Sequence, residues 1–80
     1  MSDEEGDDQR FGEWIQDQRL RQELSLMVAT VLTGMTVFRI REIEAGTAKT
    51  GVTDAEAAAF CFAYKLDKSL MIAQILGNIH

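Results

Sequence analysis

Few side chains in this sequence have the type and spacing needed for bond chemistry. The one phosphate-site candidate is Gly46-Thr-Ala-Lys-Thr-Gly51-Val52-Thr53, which invites comparison with the loop G-x-x-x-x-G-K-[ST]. Val52 stands where the lysine belongs, so the β- and γ-phosphates would lose their point charge. Asp54 and Glu56 follow at the electropositive start of a helix and would repel an anion. An interhelical loop with a glycine at either end accounts for the segment. Cys61 lies between Phe60 and Phe62 with no histidine near it, whereas a reactive thiolate requires a cation, a helix N-terminus or a paired base. It reads as a buried, inert thiol. His80 is the only histidine and Cys61 the only cysteine. No zinc site and no intrachain disulfide can be assembled from them. No carboxylates are paired in an apolar segment that would tune them for acid–base work. The expectation is a protein that is not an enzyme and holds no metal or cofactor.

Recognition is the remaining chemistry. Phe11, Trp14 and Ile15 cluster on one side of a helical wheel, directly after an acidic run. Trp is a favoured binding anchor. The three residues either close the end of a bundle or form a docking element for another protein.

Charge is unevenly placed. Asp3, Glu4, Glu5, Asp7 and Asp8 have no base among them, and from Gln9 onward eight acids match eight bases. The whole net charge of −5 therefore belongs to residues 1–8, and residues 1–10 are read as a solvated, disordered tail ahead of a domain at 11–80. No basic stripe offers the phosphate neutralisation that nucleic acid demands, so none is expected as a partner. The acidic N-terminus has no apolar core of a secretory signal, and a lone cysteine suits a reducing, cytoplasmic setting.

The elements that would carry these residues are helical. Leu20, Leu24, Met27, Val28, Val31, Met35 and Phe38 recur at steps of three and four, in a sector of about 100°. They predict a long first helix over about 13–45, with Gly34 as a possible bend and 35–45 open to a strand reading. Gly46 suits a helix C-terminus. Thr53 and Glu56 spell a capping box that opens a second helix over about 53–77, ended by Gly77-Asn78. On it Phe60, Tyr64, Met71 and Ile75 form an apolar face beyond the alanine-rich one offered to the first helix.

A hairpin covers only one of those faces. The fold expected is thus an all-α hairpin of two long helices, completed as a helical bundle by homo-oligomerisation, most simply a dimer. Phe60, Tyr64, Met71 and Ile75, with Phe11, Trp14 and Ile15, are the candidate interface. The function expected is that of a small interaction, adaptor or assembly protein. One alternative is an acidic-tailed inhibitor that blocks a partner protein; another is a membrane-active oligomer. The charge-free run Leu24–Phe38 covers only about 22 Å as a helix, short of the ~30 Å hydrocarbon core, which places the membrane reading last.

Overall fold

The structure is a computed structural model and describes residues 3–76. It is all-helical: α1 (Asp3–Arg21), α2 (Leu26–Thr33), α3 (Val37–Ala45), α4 (Asp54–Tyr64) and α5 (Lys68–Leu76), with no strand among the described residues. α1 begins inside the acidic segment that composition reads as a tail. The two long helices of the expected hairpin are not what forms. The first is three helices and the second is two. The Gly77-Asn78 stop and His80 lie outside the described residues.

Each break has a local cause. At the end of α1, Glu23 adopts a left-handed conformation (φ 59°). Its N–H donates to the Leu20 carbonyl, and the Leu24 N–H reaches back to the Arg19 carbonyl at 3.1 Å. That pair of bonds is a Schellman cap, which satisfies carbonyls the helix would otherwise leave open. Ser25 then starts α2, its hydroxyl accepting from the Val28 N–H at 3.1 Å. Gly34, also left-handed (φ 75°), ends α2, and Thr36 caps α3 by accepting from the Arg39 N–H. Gly46 closes α3 as its sequence position predicts, and residues 37–45 are helix rather than strand.

The Thr53–Glu56 capping box is present in both directions. α4 stops where Lys65 turns left-handed (φ 56°) and the Leu66 N–H bonds the Cys61 carbonyl. The Asp67 carboxylate then accepts from the Ser69 N–H at 3.0 Å, opening α5.

These breaks let the pieces fold over one another. Phe11 and Ile15 of α1, Ala29 of α2, Ile40 and Ile43 of α3, Phe60, Ala63 and Tyr64 of α4 and Met71 of α5 form one buried cluster. The radius of gyration, 11.8 Å, is that of a folded chain of this length, about 12 Å. One copy of the chain therefore closes a core of its own.

α1 and α3 lie backbone to backbone at Gly12. A Cβ there would stand within 3.0 Å of the Ile43 and Glu44 carbonyl oxygens. Beside that contact Arg19 forks onto Glu44, Nε to Oε2 at 2.8 Å and Nη2 to Oε1 at 3.1 Å, while Nη1 donates to the Leu24 carbonyl at 2.8 Å. Both residues are buried. Such a pair fixes geometry more surely than it adds net stability, because desolvation offsets much of the attraction.

Candidate interaction surfaces

The structure places the residues singled out from sequence mostly inside the protomer. Phe11, Ile15, Phe60, Tyr64 and Met71 are buried in its core, so their apolar surface is already covered within one chain. Trp14 is half-buried, its ring centroid 6.0 Å from that of Phe11. Ile75 alone among the seven stays exposed. Phe60 and Tyr64 stack obliquely at 5.5 Å. Burial pushes the Tyr64 hydroxyl up to about 12, and that oxygen has no hydrogen-bond partner among the described residues.

The stripe read as core has the opposite fate. Met27, Val31 and Phe38 are 75%, 76% and 76% exposed, and Leu20 and Val28 are exposed as well. Only Leu24 and Met35 pack against the core. Once the helix breaks at Glu23 and Gly34, the wheel that aligned these residues no longer applies. The face that packs inward on α2 is the one bearing Ala29.

Two apolar surfaces result. The first is the outer face of α2 and α3. On α2, Met27, Val28, Val31 and Leu32 share a sector of about 140°. Across the Gly34 turn, Val37 and Phe38 are exposed on α3, as are Arg41 and Glu42. Arg39 is turned away, held by Glu56 (Nε to Oε2 2.7 Å) and by the Gly51 carbonyl at 2.9 Å. The Arg39 guanidinium, and after it the Thr53 N–H, keeps the Glu56 carboxyl down at about 2. Arg41 has no ion pair among the described residues and lines an open cleft of about 510 Å³ shared with Glu13, Gln16 and Glu44.

The second surface is on α4 and α5. Phe62 is 80% exposed, and Leu70, Ile72 and Ile75 are 39–46% exposed. Among the described side chains of α5, Met71 alone joins the buried core.

Neither surface carries a nucleophile beside a base. Cys61 is half-buried and burial pushes its thiol up, away from reactivity. The Gly46–Thr53 segment serves as a cap and as the anchor for Arg39. Among the described residues no group of three or more His, Cys, Asp or Glu could hold a metal ion. No helix among them is long and apolar enough to cross a membrane.

Sequence reasoning missed Met27, Val31, Phe38 and Phe62 as surface. The signals that could have found the first three are the serine and threonine caps at Ser25 and Thr36, which announce new helices inside the presumed long one. Comparison with protein-family models, with curated proteins and with solved structures finds no match to this chain.

Proposed function

We propose that this chain is a small, non-enzymatic interaction and assembly protein of a reducing, cytoplasmic compartment, acting as a homodimer joined through α4 and α5. The supporting observation is α5 itself. Among the described side chains of this nine-residue helix, Met71 enters the core while Leu70, Ile72 and Ile75 stay in solvent. Helices shorter than about 12 residues are marginal in water without packing to support them. Residues 69–76 carry no charge, so a two-fold contact sets no like charges against each other. A second copy of α5 supplies the missing packing, in the manner of a helical bundle.

Light scattering across a concentration series is the test. The expected mass is twice that of the chain, falling to the single-chain mass for Ile72→Glu with helix content retained. A wild-type chain that stays monomeric at every concentration would overturn the reading.

Nucleic-acid binding is the second reading, favoured by one feature. Two short helices joined by a three-residue turn with a left-handed glycine have the lengths of a helix-turn-helix, whose second helix enters the DNA major groove. The side chains fit that role poorly. Base edges are read by Arg, Lys, Asn, Gln, Ser and Thr, and α3 presents Val37, Phe38, Arg41 and Glu42. Fluorescence anisotropy with duplex DNA at rising salt distinguishes the readings, because phosphate contacts give a steep salt dependence.

A further inference from the structure

We infer that two copies of this chain pair by exchanging α5, a step that rests on the dimer proposed above. The turn at Lys65 opens, α4 and α5 run on as one helix, and Met71 enters the core of the second copy instead of its own. The turn is built to open. Lys65 holds a left-handed backbone (φ 56°) without being glycine, a strained conformation for an L residue. From Val52 to Leu76 there is neither glycine nor proline, so nothing in the sequence stops the helix from continuing. Opening relieves the strain. It exchanges the Leu66–Cys61 backbone bond and the Asp67 cap for ordinary helical bonds between residues four apart. The left-handed turn at Glu23 is held differently: Arg19, locked on Glu44, also grips the Leu24 carbonyl at 2.8 Å. Residues 68–75 make no side-chain hydrogen bond or ion pair with another helix among the described residues.

The register runs in phase through the turn. On one straight helix Phe60, Tyr64, Met71 and Ile75 fall within about 60°, and Phe62, Leu66, Leu70 and Ala73 within about 80°. The bend breaks both stripes, burying Phe60, Tyr64 and Met71 while leaving Ile75, Phe62 and Leu70 exposed. A straight helix gathers Phe62 and Leu70 onto one face, where the matching helix of the second copy covers them. The seat in each core fits its new occupant, because the α5 that enters has the sequence of the α5 that leaves. Short hinges under strain invite such exchange, and reciprocal exchange between two copies closes on itself.

Light scattering on Lys65→Gly and Lys65→Ala is the test, with thermal melts to check that the variants fold; the position is exposed. Glycine relaxes the bent turn and weakens the straight helix at both hinges of a dimer. Lys65→Gly should therefore raise the dimer dissociation constant by a factor on the order of 100. Lys65→Ala removes the same side chain but keeps its Cβ, and should stay dimeric. Spin labels at Ala55→Cys and Ala73→Cys, in a Cys61→Ala chain diluted among unlabelled copies, read the hinge directly. The dimer should give about 27 Å, the rise of a straight helix from 55 to 73, and the Lys65→Gly monomer a shorter distance. A dimer indifferent to Lys65→Gly, or one with the shorter distance, would overturn the exchange and keep a side-by-side α5 dimer. Loss of the dimer in both variants would place the Lys65 side chain in the contact and overturn the exchange as well. A wild-type chain monomeric at every concentration would overturn the dimer itself.

Discussion

α3 and α5 are both nine residues long, and the chain treats them in opposite ways. α3 sends Ile40, Ile43 and Glu44 into the interior. It is gripped by Arg19 through Glu44, by Glu56 through Arg39 and by the backbone of α1 at Gly12. α5 has the Asp67 cap and Met71. Neither length supports a free helix. The difference teaches that the stability of so short an element comes from what it touches. An element with few contacts inside its chain is a candidate for contacts outside it.

The largest blow to the α3 side is Glu44→Ala, which leaves Arg19 buried and unpaired. It should cost about 3–5 kcal/mol in chemical denaturation. The matching change on the α5 side, Met71→Ala, should cost about 2 kcal/mol, at the low end for a buried methionine. Hydrogen exchange should then show lost protection confined to residues 68–76. Protection lost across α3 as well would erase the contrast. Thr53→Ala should cost about 1 kcal/mol through the helix cap.

Acid sharpens the comparison further. Glu56 has its folded pKa lowered to about 2, so its contribution is complete above the unfolded value, about 4.5, and fades as pH falls towards 2. The melting-temperature gap between wild type and Glu56→Gln should therefore be constant at neutral pH and shrink between pH 4.5 and 2. A gap that persists at pH 2 would mean the clamp on α3 is not ionic. The smallest effect expected is a gain. Lys65→Gly relieves a left-handed backbone just before α5, and should raise stability by no more than about 1 kcal/mol.

Much of the secondary structure was legible. The helical class, the Thr53–Glu56 box and the Gly46 stop follow from side-chain chemistry that acts within a few residues. The breaks at Glu23 and Lys65 were not, because both residues take the left-handed conformation without being glycine. Gly34 was read as a bend, since one glycine is compatible with either a kink or an end. Misplacing three breaks rotates every later side chain on the wheel. For this reason Phe60, Tyr64 and Met71 were recognisable as an apolar face, while its destination inside the same chain was not. The surface candidates suffered the same error in reverse.

The contact at Gly12 bears on how this protein can vary. With no side chain between them, α1 and α3 are spaced by main-chain atoms, which are the same whatever residues fill the core nearby. A valine in place of Ile40 or Ile43 would change the filling and leave that distance alone. The pose of Val37, Phe38 and Arg41 is thus indexed to the backbone. The outer face can drift in sequence without renegotiating the frame beneath it.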